Sequence, residues 1–432
     1  MKIGVVSLGC SKNLVDSENI MGLLKSAGVE ITSKPKDADA IIINTCGFIN
    51  SAKEEGIDTI LEMAEYKKDK CKYLIVCGCL SQRYKQELMK EMPEVDRFIA
   101  IDEYKDIHII LAQLLGIKIC NTYGKAQRLI SSKPWTAYLK IAEGCSNQCT
   151  YCAIPLIRGK NVSVDMPTLI NEAKQLASNG VKELVLIAQD TTKYGLDLYG
   201  EYKLVELLKQ LNDIDDLHWI RILYMYPDEI SKELISEMSK LSKVLPYFDI
   251  PLQHANNKML KLMNRRGTIE SIKETISLIK DTYEDPTLRT TFIVGFPYEL
   301  DQDFNDIKEF ITQFRWNHLG CFAYSKEEDT PAYNMPEQID TSIANKRAQE
   351  IMLLQKELAL DNNRKYIGKD IEVLIESYDT IKKIYRGRSK HSAPDGIDGL
   401  VFVKTKRDIQ LGTFIKTTVT NALAYDLICE EL

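Results

Sequence analysis

The stretch EGCSNQCTYC at residues 143–152 places three cysteines in a CxxxCxxC run. Three thiolates this close in sequence can bind three irons of a four-iron cluster and leave the fourth iron without a protein ligand. That open iron is available to a cofactor or a substrate. Cys145, Cys149 and Cys152 are therefore predicted to hold an iron–sulfur cluster whose chemistry depends on a bound small molecule.

A closed zinc site is the main alternative for such a run. Zinc in structural sites takes four ligands in a tetrahedron. No fourth cysteine is nearby in the sequence, and all the histidines are distant: His108, His218, His254, His318 and His391. An open iron–sulfur site therefore fits this run better than a zinc site does.

The composition is that of an ordinary globular protein. The chain has 432 residues, enough for two or three domains, and 44% of them are apolar and 27% charged. No apolar run is long enough to cross a bilayer, and the first residues, MKIGVVSL, read as a strand rather than a signal peptide. We therefore expect a cytoplasmic protein without a membrane segment, whose eleven cysteines are metal ligands or buried thiols.

The first third of the chain alternates buried strands with helices, which predicts a doubly wound parallel sheet. The predicted strands are Ile3–Leu8, Ala40–Asn44, Tyr73–Val76 and Arg97–Ile101, and the predicted helices are Ser17–Ser26, Ser51–Glu65, Gln82–Met92 and Tyr104–Leu115. Cys10, Cys46 and Cys79 each follow one of the first three strands. Because the carboxyl ends of parallel strands meet at one edge of a sheet, these thiols are predicted to form a second three-cysteine site. Cys77 competes with Cys79, but it ends the apolar run LIVC and is interpreted as buried, with Cys79 in the following loop.

A polar segment at residues 121–134 is interpreted as a linker to a second alternating region. The predicted strands there are Ala137–Ile141, Glu183–Ile187, Trp219–Leu223, Tyr247–Ile250, Leu288–Ile293 and His318–Phe322, with helices at Pro167–Ser178, Leu204–Asn212, Glu229–Lys240, Ile269–Thr282, Asp301–Gln313 and Ile343–Arg364. Six units predict a partial (β/α)6 barrel, with the CxxxCxxC run at the end where barrel enzymes place their chemistry. Gln189 and Gln253 follow the second and fourth strands and are candidate cofactor contacts.

The last part of the chain changes to short strands at Ile371–Ile375, Leu400–Val403, Phe414–Thr420 and Ala424–Cys429, which predicts a small antiparallel β-barrel. Residues 366–432 contain ten Lys and Arg and ten Asp and Glu, so their formal charge is zero, and the whole chain carries −6. This balance favours a protein partner over RNA bound through its phosphates. Asp395 and Asp398, in a turn-rich segment, are predicted to face a basic partner from a loop.

With both cysteine sets placed, the chain resembles the methylthiotransferase family of radical S-adenosylmethionine (SAM) enzymes along its whole length. The stretches that carry the resemblance are SLGCSKNLVDSE (7–18), INTC (43–46), LIAQDTT (186–192), DIPLQH (249–254) and RTTFIVGFP (289–297). Within the family the chain is most similar to the branch that methylthiolates an aspartate of protein twelve of the small ribosomal subunit. The family's order implies an N-terminal cluster domain at residues 1–120, a radical SAM core at 131–363 and a C-terminal TRAM barrel at 366–432.

The resemblance implies two four-iron clusters and SAM as cofactors. The CxxxCxxC cysteines would hold the cluster that cleaves SAM, beside Tyr151, the aromatic that such proteins usually carry before the last cysteine. Cys10, Cys46 and Cys79 would hold the cluster that carries or donates the inserted sulfur, and a second SAM would supply the methyl group. The methylthio group would go to the β-carbon of the target aspartate.

The partners implied by the resemblance are the small-subunit protein, free or in the ribosome, and a low-potential electron donor such as flavodoxin or ferredoxin. Two other functions stay open. One is the same chemistry on the adenosine of a tRNA anticodon region. The other is a radical or redox protein whose N-terminal cluster only relays electrons or braces the fold. The chain also departs from the family at Tyr298, where a glycine usually follows Gly-Phe-Pro, and this departure predicts a local change of backbone.

Overall fold

The computed structural model describes residues 1–394, 396 and 398–432. Its N-terminal unit contains strands β1 (Lys2–Ser7), β2 (Glu30–Thr32), β3 (Ala40–Thr45), β4 (Tyr73–Gly78) and β5 (Arg97–Ile99) and helices α1 (Ser11–Ser26), α2 (Asn50–Ala64), α3 (Cys79–Glu91) and α4 (Ile107–Leu115). The strands form one parallel sheet in the order β2-β1-β3-β4-β5. Alternate side chains of the buried strand β3 pack into different apolar clusters. Ile42 lies in one cluster, and Ile41 and Ile43 lie in the other. Helices therefore cover both faces, which confirms the doubly wound sheet.

Two N-terminal helices begin earlier than the sequence predicts. Helix α1 begins at Ser11 rather than Ser17, and helix α3 begins at Cys79 rather than Gln82. The first turn of α1 contains Lys12 and Asn13, which are buried although they are polar. Because they interrupt the apolar spacing of a helix, the sequence pattern did not show that the helix begins there. The sequence analysis placed Cys79 in a loop, but in the structure it is the first residue of helix α3.

The segment between α4 and the central unit contains no helix or strand, as the linker prediction requires. It is nevertheless fixed in place by Arg128. Its guanidinium pairs with Glu18 of α1 at 3.3 Å and with Glu172 of the central unit at 2.7 Å. The linker therefore helps to hold the two units together.

The central unit contains six parallel strands with helices between them. The strands are β6 (Thr136–Lys140), β9 (Glu183–Ile187), β10 (Trp219–Ile222), β11 (Tyr247–Asp249), β12 (Thr287–Val294) and β13 (His318–Ala323), and a short hairpin is formed by β7 (Ala142–Glu143) and β8 (Val162–Ser163). The helices are α5 (Ile154–Arg158), α6 (Met166–Ser178), α7 (Leu196–Tyr199), α8 (Leu204–Asn212), α9 (Lys232–Met238), α10 (Asn257–Leu262), α11 (Ile269–Thr282), α12 (Asp301–Phe314) and α13 (Thr341–Arg364). The six predicted strands are confirmed.

The six strands form an open barrel. Two three-stranded sheets, β10-β9-β6 and β11-β12-β13, meet at a parallel bridge between Ile220 and Val244. Tyr138 and Val185 lie in an apolar cluster that also contains Val15 of α1. The N-terminal unit therefore packs onto the partial barrel. No helix in the described part of the chain is long and apolar enough to span a membrane.

The C-terminal unit is a closed five-stranded barrel in the order β14-β15-β16-β18-β17. Its strands are β14 (Asp370–Asp379), β15 (Ile384–Arg388), β16 (Val401–Lys404), β17 (Phe414–Ala422) and β18 (Leu427–Glu431). All neighbouring strands are antiparallel except β16 and β18. The small barrel is confirmed, and β15 is a strand that the sequence analysis missed because its glycine and two arginines mask the apolar alternation.

Buried ion pairs join the C-terminal barrel to the amino ends of the central strands. Arg388 donates to Glu183, the first residue of β9, and pairs with Glu376 at 3.0 Å. Arg221 of β10 donates to the other oxygen of Glu183 at 2.8 Å. Burial alone would raise the pKa of Glu183, but Arg388 and Arg221 lower it to about 2. The C-terminal barrel therefore closes the end of the central barrel opposite the CxxxCxxC run.

The prediction that Asp398 faces a partner from a loop is wrong. Its side chain is buried, with the residue 2% exposed, and it accepts hydrogen bonds from the Tyr247 hydroxyl and, at 2.8 Å, from the Ala393 backbone N–H. Arg289 lies 3.3 Å away on the same carboxylate. Asp398 is part of the joint between the two barrels. The companion prediction for Asp395 lies outside the described residues.

Replacing Arg388 with methionine should destabilise the protein by about 3–5 kcal/mol, because Glu183 and Glu376 each lose a buried charged partner. Thermal unfolding would measure the effect. The matched control is Arg364→Met, which breaks an exposed pair with Asp361 and should change stability little. Equal unfolding midpoints for the two variants would contradict this account of the joint.

Candidate iron–sulfur sites

The first cysteine set lies at the carboxyl edge of the N-terminal sheet. Cys10, Cys46 and Cys79 follow β1, β3 and β4, which are consecutive neighbours in the sheet. Cys10 is the residue that caps helix α1, and Cys79 is the first residue of helix α3. The amino end of a helix favours negative charge and so favours thiolate over thiol. The structure thus brings the three predicted residues to one edge, and that they bind iron stays a prediction.

Glycines allow the three cysteine-bearing segments to approach each other. Gly9 has a φ of +85°, and a Cβ on it would lie 2.7 Å from the Cβ of Cys46. A Cβ on Gly47 would lie 2.8 Å from the backbone nitrogen of Leu80, next to Cys79. Any side chain at these two positions would collide with the adjacent loop. The packing therefore forms a cradle that fits a group shared by the three thiols.

Asn13 ties the first and second loops together and lies near the third. Its side-chain amide donates to the carbonyl of Leu8 at 3.0 Å and to that of Thr45 at 3.1 Å. Its oxygen is 3.6 Å from the Sγ of Cys79. Sequence reasoning did not single out Asn13, because a polar residue in the first turn of a helix usually has only a local role.

Burial and nearby cations set the charge preference of these thiols. Burial raises the pKa of Cys79 to about 12 and also raises that of Cys46. At Cys10 burial is outweighed by Lys12, Arg158 and backbone donors, and the pKa is lowered. Binding a metal requires the thiolate, so loading of this site would release protons.

Cys77 is separate from this edge. It is fully buried and belongs to the apolar cluster that contains Ile75 and Tyr104. Burial raises its pKa to about 12. The preference for Cys79 over Cys77 is therefore supported by the direction in which each side chain packs.

The second cysteine set lies in the loop between β7 and α5, at the carboxyl end of β6. Gly144 has a φ of +76°, and a Cβ there would lie 2.2 Å from the carbonyl oxygen of Lys160. The N–H of Cys145 donates to the Gly159 carbonyl at 3.0 Å, and the N–H of Thr150 donates to that of Met263 at 3.0 Å. Backbone hydrogen bonds therefore fix the loop at both ends.

A buried arginine accompanies this second set. The guanidinium of Arg265 is 3.8 Å from the Sγ of Cys149 and 4.0 Å from the ring centroid of Tyr226, and it donates to the carbonyl of Pro251. Burial raises the pKa of Cys152 to about 12, and Arg265 opposes that rise. Arg265 lies 116 residues from Cys149, so no local sequence pattern could have connected the two.

Tyr151 and Gln189, two of the other predicted contacts, are close to the second cysteine set in the sequence or through Glu143. Tyr151 packs against Met259, Met263 and Phe296. Gln189 donates to Glu143 at 3.2 Å, while its side-chain oxygen is buried and has no partner among the described residues. An unpartnered buried acceptor fits a site whose ligand is still to bind.

Gln253 follows β11 with a φ of +74°, and its backbone bonds to Thr291 and Ile293 of β12 at 2.8 Å. Its backbone therefore holds two strands together, whatever its side chain binds. The adjacent His254 is fully buried 3.3 Å from Glu299 and belongs to the packing below the pocket.

The two cysteine sets lie on either side of one interface. Cys79 packs against Ala153, the residue after Cys152, and against Ile157 of α5. On another side of the interface, Arg83 of α3 pairs with the buried Glu327, which follows β13, at 2.9 Å. The chain thus fixes the two sets next to each other.

The donor sets fit clusters better than single ions. In the part of the chain that the structure describes, no group of three or more His, Cys, Asp or Glu is arranged to hold one metal ion. A single zinc ion needs each thiolate about 2.3 Å from one point, whereas in a four-iron cluster each thiolate binds a different iron. Each set offers three thiols, and each has a buried arginine nearby: Arg158 donates to the Asn13 oxygen that lies 3.6 Å from the Sγ of Cys79, and Arg265 lies 3.8 Å from the Sγ of Cys149.

Three family models match the chain. They are the uncharacterized protein family UPF0004 at residues 2–100, the radical SAM superfamily at residues 139–311 and the TRAM domain at residues 367–431. Each match lies inside one of the three units described above.

Curated relatives match the chain from end to end. The chain is 48% identical to the ribosomal protein uS12 methylthiotransferase RimO of Caldicellulosiruptor saccharolyticus, with 100% of each chain covered. It is 46% identical to the protein of the same name from Clostridioides difficile, covering 100% of this chain and 99% of that one. The chain belongs to the RimO family of methylthiotransferases. It is therefore an enzyme that transfers a sulfur-containing group, and membership implies a four-iron cluster and SAM.

Solved structures of more distant proteins share the fold. The radical SAM methyltransferase TsrM from Kitasatospora setae superposes with a TM-score of 0.56 at 12% identity, covering 77% of this chain and 76% of that one. The cobalamin-dependent SAM radical enzyme OxsB gives 0.53 at 12% identity, over 82% of this chain and 56% of that one. At these identities the likeness shows the arrangement of a radical SAM barrel behind an N-terminal unit, and nothing about substrate.

Tyr298 adopts a backbone conformation that favours glycine. Its φ is +67°, and its N–H donates to the Glu337 carbonyl at 3.0 Å. The next residue, Glu299, is buried and accepts from the Gly295 N–H at 2.9 Å and from Arg347 at 2.6 Å. These bonds hold the turn, so Tyr298 bears the cost of a left-handed conformation, on the order of 1–2 kcal/mol.

Tyr298→Gly should therefore be more stable than Tyr298→Ala, by about 0.5–1 kcal/mol. The two variants lose nearly the same side-chain contacts, and only alanine keeps the Cβ that the left-handed conformation penalises, while glycine loses more freedom on folding. Chemical denaturation of both variants would measure the difference. If alanine is the more stable, Tyr298 is not strained in the folded protein.

Proposed function

We propose that this chain adds a methylthio group to the β-carbon of an aspartate in ribosomal protein uS12. The observation that carries the proposal is the contact between Cys79 and Ala153, which places two cysteine sets side by side. An enzyme that only cleaves SAM needs one such set. Inserting sulfur at an unactivated carbon needs a hydrogen-abstracting site and a sulfur source within reach of the same carbon.

The proposal assigns a role to each set. Cys145, Cys149 and Cys152 hold the cluster that works with SAM, and the other three cysteines hold a second four-iron cluster that carries or donates the sulfur. When bound, the first cluster and SAM supply hydrogen abstraction from an unactivated carbon. The two sets lie on either side of one interface, and the guanidinium of Arg265, 3.8 Å from the Sγ of Cys149, would balance the negative charge of a cluster bound there.

The candidate cofactor contacts support this assignment. The free oxygen of Gln189 is available to a donor on SAM. Tyr151, which lies between Cys149 and Cys152 in the sequence, packs against Met259 and Met263, and the backbone of Gln253 bonds to β12. Electrons would come from a low-potential donor such as flavodoxin or ferredoxin. The chain's charge of −6 and the zero charge of its C-terminal barrel favour a basic protein over tRNA as the substrate.

Two triple variants and the wild type should separate the roles of the cysteine sets. Replacing Cys145, Cys149 and Cys152 with alanine should remove about half of the iron and abolish SAM cleavage. Replacing the other three should remove the other half, leave deoxyadenosine formation measurable and prevent sulfur insertion. Cys77→Ala is the matched control and should keep all the iron, because its side chain packs in the core. Undiminished SAM cleavage in the first variant would refute the proposal.

Mass spectrometry identifies the product. Wild-type enzyme given SAM, reductant and sulfide should add a methylthio mass to one aspartate of uS12. Addition to tRNA adenosine instead would select the tRNA alternative. Cleavage of SAM with no methylthio product on either substrate, under conditions where both clusters are intact, would select the redox alternative.

A further inference from the structure

Arg158 of the central unit enters the cysteine site of the N-terminal unit. It is the last residue of α5, the helix that begins just after Cys152, and it is 7% exposed. Its guanidinium donates to Asp16 of α1 at 3.1 Å and to the side-chain oxygen of Asn13. It also donates to Glu143 of its own unit at 2.7 Å.

Arg158 lies beside the N-terminal thiols. The side-chain oxygen of Asn13, to which its guanidinium donates, is 3.6 Å from the Sγ of Cys79. Its neighbour in α5, Ile157, packs against Cys79. One side chain from the radical SAM core therefore places a buried positive charge next to the donor set of the other unit.

The chemistry of a three-thiolate cluster makes such a cation consequential. Reduction adds a negative charge to a buried group that is already surrounded by thiolates. A fixed positive charge in low dielectric stabilises the reduced form more than the oxidised form. Arginine stays protonated in proteins, so this charge is permanent.

We propose that Arg158 is a positioning residue by which the radical SAM core completes the N-terminal cluster site and raises the reduction potential of the cluster held there. The inference rests on the proposed function, because it takes Cys10, Cys46 and Cys79 as cluster ligands. The N-terminal cluster site is therefore completed by a residue of the central unit. Its potential is set by a residue six positions after Cys152 in the sequence.

The test uses the full chain in which Cys145, Cys149 and Cys152 are alanine, so that only the N-terminal cluster is present. Iron content and a redox titration followed by electron paramagnetic resonance are measured in this parent. Arg158→Met removes the charge, and combining it with Asp16→Asn also removes the carboxylate to which Arg158 donates, so that the local charge balance is kept. The double variant is compared with Asp16→Asn alone. Arg158→Lys keeps the positive charge but loses the planar set of N–H donors that a guanidinium provides.

The matched control is Arg128→Met. Arg128 is another buried arginine of the same interface, and its partners are Glu18, Glu172 and the carbonyl of Tyr138. Its loss weakens the joint between the units without removing the cation beside the thiols. It should leave the potential of the parent unchanged.

Relative to Asp16→Asn, the Arg158→Met double variant should shift the reduction equilibrium at least tenfold toward the oxidised form, which is about 59 mV for one electron. The Arg158→Lys variant should shift it less. Loss of iron from the Arg158→Met variants, with iron kept by Arg128→Met, also supports the proposal. An unchanged potential with full iron, or equal iron loss in the Arg128→Met control, overturns it. A parent that binds no iron refutes the ligand assignment in the proposed function itself.

Discussion

The buried ionic contact between helix α1 and the radical SAM core is the interaction on which the rest of the structure depends. Asp16 of α1 accepts from Lys140 and Arg158 of the core and from the Tyr123 hydroxyl of the linker at 2.9 Å. Buried charges need partners with good geometry, because an unpaired buried ion costs several kcal/mol. The contact therefore admits one relative placement of the two units. That placement brings Cys79 against Ala153, so that the two cysteine sets lie next to each other.

The same constraint operates at the other end of the central barrel. Glu183 and Arg221 of the central unit and Arg388 and Glu376 of the C-terminal barrel form one buried charged group that links the two units. The C-terminal barrel is thereby held against strands β9 and β10 of the central unit.

Most of the architecture and the cysteine sets could be predicted from the sequence, because they depend on local patterns. The CxxxCxxC run specifies its own chemistry, and the carboxyl-edge rule for parallel strands gathers Cys10, Cys46 and Cys79 without any knowledge of side-chain packing. The residues that could not be predicted depend on contacts between distant segments. Arg158 lies 142 residues from Asp16, and Arg388 lies 205 residues from Glu183.

The prediction for Asp398 failed for the same reason. An aspartate among glycines and a proline is typical of an exposed turn. Only the fold shows that Asp398 is buried between two barrels, where its carboxylate contacts Tyr247 and Arg289. The early start of α3 has a related cause, because a cysteine and a serine at a helix start look like loop residues until the buried side of the first turn is known.

The central claim is that two clusters lie side by side in one chain. Electron paramagnetic resonance of the fully reduced wild type tests it most directly, because neighbouring paramagnets perturb each other's signals. The account predicts that the wild-type spectrum differs from the sum of the spectra of the two triple-cysteine variants, each of which retains one cluster. A wild-type spectrum equal to that sum, or a variant with no cluster signal, would contradict it.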